Sequence, residues 1–258
     1  MWAMRLPPDI GLPTDALYRL PLAAALERVA ERAELAEIYS SDDHSLLVPA
    51  NRRAGQPAAT HRPRTHRRPR AGSPRERIRR CAVHVHRHHL EAAAEIGALT
   101  YVVHPDYRGC ALPRDPRGVD ALQRTFAALE ELQRELGVRV VVKNMPGIGF
   151  SHFGAPGDLD LGELGLILDA GHAAICGTLH DFLREPHAEL AHVHLQDNRG
   201  PADAGDPHLP LGRGIVDAEA VLRAARASGA RVILEVLNEA ATAESVAYLE
   251  RRGIFTPT

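Results

Sequence analysis

The 258-residue sequence predicts an eight-stranded parallel α/β fold, a (β/α)8 TIM barrel, on three observations. Short β-branched runs alternate with amphipathic helical stretches along nearly the whole chain, the signature of repeated βα units. Composition does not break near the middle, so residues 1–258 read as one domain. The length suits eight βα units, which occupy about 250 residues in such barrels. A doubly wound sheet is the other candidate, but no glycine-rich phosphate loop follows an early strand.

The elements follow in order. A first strand is expected near Trp2–Leu6, then a helix over Pro21–Ala33 and a strand at Leu35–Tyr39. Ser73-Pro74-Arg75-Glu76 has the form of a capping box with proline at the first helical position. It would open a helix running to Ile96 and stopped by Gly97. A strand at Leu99–Val103 and a helix over Val119–Leu136, ended by Gly137, come next. Val138–Val142 is almost continuously β-branched, as expected of a strand buried on both faces. Strands at Leu164–Leu168, Leu190–Leu195 and Arg231–Leu234 complete seven, with helices at Thr178–Arg184, Ala218–Ala227 and Ala243–Arg252. The eighth, third in order, would have to lie in residues 48–72, which have lost all hydrophobic periodicity.

That segment also carries unusual charge. Residues 51–80 hold eleven arginines and a single acid, Glu76, so an overall charge of −2 conceals a basic stretch on an acidic body. Three readings stand: a nucleic-acid arm, a solvated loop, or the product of a GC-rich gene read out of frame. Lys143 is the sole lysine among 31 basic residues, which itself suggests GC-rich coding. No run of 18 apolar residues exists to span a membrane, and the N-terminus lacks the pattern of a secretory signal. Cys81, Cys110 and Cys176 share no short spacing, so a disulfide framework is not expected and a reducing cytoplasm is.

In such barrels the chemistry sits at the carboxyl ends of the strands. TYVV ends in His104-Pro105, VRVVV in Lys143-Asn144, GLIL in Asp169-Ala-Gly-His172, AHV in His194 and RVIL in Glu235. A lone strand-end histidine usually means a satisfied core residue. Carboxylates converging from several strands repel one another, however, and call for a cation. Imidazole and carboxylate without thiolate suit zinc, manganese, cobalt or iron. After His194 and Asp197 comes Asp206-Pro-His208, whose side chains would share one side of an extended chain. The following Gly212-Arg-Gly214 permits a tight turn.

The order of these motifs, from His104-Pro through Lys143-Asn-Met-Pro, Asp169-Ala-Gly-His172, His192-Val-His194-Leu-Gln-Asp-Asn and Asp206-Pro-His208 to Glu235, resembles one superfamily. This is the xylose-isomerase-like TIM barrels, which include sugar-phosphate isomerases and epimerases and endonuclease IV. The resemblance covers residues 73–250, with a weaker echo at Glu37-Ile-Tyr-Ser. It implies a metal site from Asp169, His194 and Glu235, whose fourth ligand in the family is a glutamate at the position of Lys143. The endonuclease branch adds a cluster matching His172, Asp206 and His208. It also adds a metal bound by a histidine matching His104, by the same replaced glutamate and by a third-strand histidine, for which His61 is the candidate.

Lys143 therefore decides how the site is read. A protonated ammonium cannot ligate a metal and repels one nearby. The lysine can mark a disabled copy, serve as a buried base or Schiff-base former, or pair with Asp169 or Glu235 in place of the metal. The first functional expectation is an isomerase or epimerase of a small sugar or sugar phosphate, dependent on a divalent metal, zinc or manganese. Glu235, Lys143 and His172 would be its catalytic residues. The alternatives are an endonuclease IV-like phosphodiesterase acting at abasic DNA, with nucleic acid as partner, and a barrel that binds a ligand without turnover. The acidic body outside residues 51–80 argues against tight duplex binding.

Overall fold

The computed structural model describes residues 5–54, 60–63, 70–105, 116–146, 151, 153–184, 190–202 and 205–254, with residues 60–63 described as backbone only. Eight parallel strands close into a barrel in sequence order: β1 Ile10–Pro13, β2 Ala36–Ser40, β3 Thr60–Pro63, β4 Thr100–Val103, β5 Arg139–Lys143, β6 Gly165–Asp169, β7 Leu190–Leu195 and β8 Arg231–Leu234. β1 pairs with β8 at Ile10↔Val232, which closes the ring. The helices are α1 Leu22–Ala30, α2 Pro49–Ala54, α3 Glu76–Glu95, α4 Pro116–Leu136, α5 Ala170–Cys176, α6 Leu179–Arg184, α7 Ala218–Ser228 and α8 Glu239–Arg251. None is long and apolar enough to cross a membrane among the described residues.

Strand alternation sorts the side chains into two cores. On β5, Val140 and Val142 face outward and join the main apolar layer beneath the helices with Tyr101, Val103, Leu166 and Val232. Val141 faces inward and meets Val102, Ile167 and Ala191 in a small separate cluster inside the barrel. The next inward position on the same strand is Lys143. A period of two thus carries the barrel lining from valine to a charged residue at the mouth.

The third strand fills the slot that the sequence leaves without a pattern. Its backbone pairs with β2 over four residues, Glu37↔Thr60 to Ser40↔Pro63, and with β4 at Thr60↔Thr100 and His61↔Tyr101. Register here comes from the neighbouring strands rather than from local hydrophobicity. The exposed strand edge that an empty slot would leave is therefore absent.

Three local expectations are corrected. The first strand is Ile10–Pro13, not the Trp2–Leu6 stretch, of which residues 1–4 lie outside the described residues. Gly11 explains the choice, because a Cβ there would lie 2.5 Å from the carbonyl oxygen of Leu35. The capping box does not form either. Arg75 is the residue before α3 and has no side-chain cap, while Ser73 Oγ accepts from Arg75 N–H at 3.3 Å. Glu76 instead receives Arg79 at 2.7 Å and Arg80 at 3.1 Å, an i,i+3 and i,i+4 arrangement natural to a helix surface. Finally, α8 starts at Glu239, four residues before the expected Ala243.

Candidate metal centre

Six residues on or just after the strands meet inside the barrel, all nearly or fully excluded from solvent: Glu37 from β2, Lys143 from β5, Asp169 from β6, His192 and His194 from β7, and Glu235 just after β8. A register irregularity on β7 helps place the histidines. Leu166 pairs with Leu190 and Ile167 with His192, so Ala191 is an extra residue. Such a bulge re-aims the side chains that follow it.

Lys143 occupies the middle of this group. Its Nζ lies 2.6 Å from Asp169 Oδ2 and donates to Glu235 Oε2 at 2.9 Å. His194 forms the second link, with Nδ1 at 2.5 Å from Glu235 Oε2 and Nε2 at 2.9 Å from Glu37 Oε2. His192 Nε2 adds a contact to Glu37 at 3.3 Å. Burial pushes the Glu37 carboxyl up, but the two imidazoles, His194 foremost, hold it well below the usual carboxylate range. Asp169 is likewise held down against its burial, by His172 and then Lys143.

Asp169, His194 and Glu235 offer ligand atoms within 4.8 Å of one another, as do Glu37, His192 and His194. The first of these groups does not fit a divalent ion as it stands. The Lys143 ammonium already binds the two carboxylate oxygens that such an ion would need, and two positive charges a few ångströms apart repel. Lysine supplies the cation to both of those carboxylates.

A second group lies one layer outward. His172, in the first turn of α5, has Nε2 2.8 Å from Asp206 Oδ2, and His208 Nε2 reaches the same oxygen at 3.1 Å. Each ring donates its other nitrogen to a backbone carbonyl at 2.9 Å, His172 to Asn144 and His208 to Glu235. With each Nδ1 donating to a carbonyl, both Nε2 atoms converge on Asp206 as donors, and an ion that displaced those protons would find two imidazole nitrogens and a carboxylate already gathered, each ring steadied by its outer partner. This trio fits a divalent metal. Burial raises the Asp206 carboxyl, and the two histidines more than reverse that, holding it far below its ordinary value.

The chain around the trio is built for it. His208 has φ of 45°, so Asp206 and His208 converge through a left-handed residue and not through the extended alternation expected of them. Asp197 organises the loop, accepting backbone N–H groups from Asn198, Gly212, Gly214 and Val216 at 2.8–3.0 Å. Gly214 is required, since a Cβ there would fall 2.1 Å from the carbonyl oxygen of Asn198, and Gly212 has φ of 85°. The Gly-x-Gly therefore does make the tight turn.

Gln196 ties the two layers, its Nε2 donating to Asp169 at 3.0 Å and to Asp206 at 3.3 Å. Asn144 spans β5 and β6, donating to the Asp169 carbonyl and accepting the Asp169 N–H. Sequence reasoning passed over Gln196, Asn144 and His192 as ligand positions and took Glu37 only as an echo. The inward parity of Glu37 on β2 was the available signal. His104 is buried after β4 but joins none of the convergent groups among the described residues. The side chain of His61 lies outside the described residues, as do Cys110 and the arginines at 64, 67 and 68.

Comparison with known proteins adds the following. The family model of the xylose isomerase-like TIM barrel matches residues 39–252. An uncharacterized protein of Methanocaldococcus jannaschii is 30% identical over 204 residues, spanning 76% of this chain and 78% of its own length. A probable endonuclease 4 of Mycobacterium leprae is 30% identical over 252 residues, spanning 90% of this chain and 94% of its own. The crystal structure of a D-tagatose 3-epimerase-like protein superposes with a TM-score of 0.77 at 25% identity, covering 94% of this chain and 96% of that one.

Proposed function

The chain belongs to the xylose isomerase-like TIM barrel family, and from that premise we propose that it is an isomerase or epimerase of a small sugar or sugar phosphate whose inner cation is Lys143. The observation that carries this reading is the Glu235 carboxylate, held in a dry mouth by Lys143 Nζ and His194 Nδ1. Proton transfer beside a carbonyl needs a positioned carboxylate that can accept and return a proton. Glu235 is that group in our reading. Lys143 stands where a neighbouring ammonium can donate to the oxygen on which negative charge develops, and Asp169 holds Lys143 in place.

A divalent ion, zinc or manganese, would be held by His172, Asp206 and His208, where it would supply a Lewis acid for substrate oxygens. His172 would orient the substrate from the same trio. Solvent-deuterium exchange tests the proposal directly. A panel of ketoses, aldoses and their phosphates is incubated in D2O and followed by proton NMR. Loss of the signal beside the carbonyl with wild type, and its retention with Glu235→Gln, is the expected result. No exchange with any member of the panel would overturn the isomerase reading.

A second reading is favoured by the Mycobacterium leprae relative and by the basic stretch at 51–80. There the metal trio serves a phosphodiesterase acting at abasic DNA. Its mark is binding to a duplex bearing an abasic site that weakens steeply with salt, together with metal-dependent strand cleavage. A protein that binds metal at the trio but neither exchanges protons nor cuts DNA would be a ligand-binding barrel without turnover.

A further inference from the structure

Helix α3 carries four histidines in six residues, His84, His86, His88 and His89, well away in sequence from the mouth ligands. A helical period of 3.6 sorts them by face. His86 and His89 turn inward and are buried, His86 Nδ1 meeting the Tyr101 hydroxyl at 2.8 Å. His84 and His88 are exposed one turn apart, and their Nε2 atoms converge to 3.1 Å.

That convergence is chemically unusual. His88 Nδ1 lies 3.1 Å from Glu91 Oε2, and donating there leaves His88 Nε2 as a bare lone pair. A single proton on His84 then fills the space between the rings, where a metal ion can replace it. Imidazole nitrogens bind such ions at about 2.0–2.1 Å. Two of them 3.1 Å apart subtend roughly 100° at the metal, between square-planar and tetrahedral angles. The carboxylate behind His88 is the outer partner that typically steadies a ligating histidine.

We propose that His84 and His88 form a second, surface metal site on α3 that takes a borderline-soft divalent ion such as copper, nickel or zinc, with its remaining positions open to water or another ligand. Imidazole donors select these ions over magnesium and calcium, and copper should bind tightest. Neither histidine touches the barrel mouth, so the site is independent of the proposed reaction. Because the pair spans one helical turn, bound metal also braces α3 and raises thermal stability in proportion to its occupancy.

The test is a nickel titration of the chelator-stripped full chain, read by competition with a colorimetric indicator. The His208→Ala background silences the mouth trio. We expect one equivalent to bind in His208→Ala and to be lost when His84→Ala or His88→Ala is added. The nickel-dependent rise in Tm of His208→Ala should vanish in the same double variants. Both added substitutions place the best helix former on an exposed face, so folding is retained. Absence of nickel binding in His208→Ala, or binding unchanged by His84→Ala, would overturn the site.

Discussion

The inner and outer clusters of the mouth use the same side-chain types and meet opposite fates. Around Glu235 the carboxylates are matched by an ammonium and an imidazole that the chain itself supplies, Lys143 and His194, all excluded from solvent. Around Asp206 two imidazoles converge on one carboxylate through exchangeable protons, and the group opens toward solvent. A buried ion pair is self-sufficient only when each charge has a fixed partner. A ring anchored by its far nitrogen to a backbone carbonyl can instead give up its near proton and turn that nitrogen to a metal. The inner group holds a built-in ammonium, Lys143, and the outer group has none.

That contrast can be broken most severely at Lys143. Lys143→Met removes the ammonium between Asp169 and Glu235, and should cost about 3–5 kcal/mol of stability, measured by urea unfolding. Lys143→Glu should be at least as unstable without metal, but should recover with added zinc or manganese in a concentration-dependent way. Wild type should show no such recovery at the inner site. If Lys143→Glu gains no metal affinity over wild type, lysine is not what keeps the inner site free of metal.

Acid should weaken both clusters together. Glu37, Asp169 and Asp206 are all held below their ordinary values of 4.5 and 3.8 in the folded protein. The unfolded chain therefore binds protons before the folded one does as pH falls. The stability these groups contribute is fully present above the unfolded values and is lost as pH drops below them toward the folded ones. In metal-stripped protein, urea midpoints should hold from about pH 7 to 5 and fall below about pH 4. A midpoint that rises with acid would contradict the assignment of these carboxylates as paired.

Asp197→Ala sharpens the comparison by loosening the outer cluster alone. It removes the acceptor for four backbone N–H groups around Gly212 and Gly214, at an expected cost of about 3 kcal/mol. Hydrogen exchange should accelerate across residues 206–216 and leave β5 and β6 protected. The smallest stability effect belongs to His208→Ala, within about 1 kcal/mol, because the trio is a binding site and not part of the core. Its signature is metal content, which should fall by one equivalent per chain by elemental analysis while the fold persists.

Most of the barrel was legible in the sequence because its strands announce themselves by β-branched runs and its helices by a 3.6-residue period. β8 appears as read, and Gly97 and Gly137 end their helices in the left-handed conformation that glycine tolerates. The strand-end positions of Asp169, His194 and Glu235 were equally plain, since a carboxyl end of a strand can be located from the turn that follows. Local pattern failed where structure is imposed from outside. β3 has no hydrophobic period of its own and takes its register from β2 and β4. β1 lies where Gly11 allows close packing against Leu35.

The sequence by itself determined the barrel, the list of charged and imidazole groups at its mouth, and the presence of a lysine among them. Only the tertiary structure decided which of those groups pair. Lys143 and Glu235 are 92 residues apart, and His194 and Glu37 are 157 apart. Such contacts depend on strand register, on the β7 bulge and on the parity of each strand, all of which arise between segments rather than within them. The left-handed turn at His208 has the same origin, since Asp197 and the Gly214 contact hold it from outside its own stretch of chain.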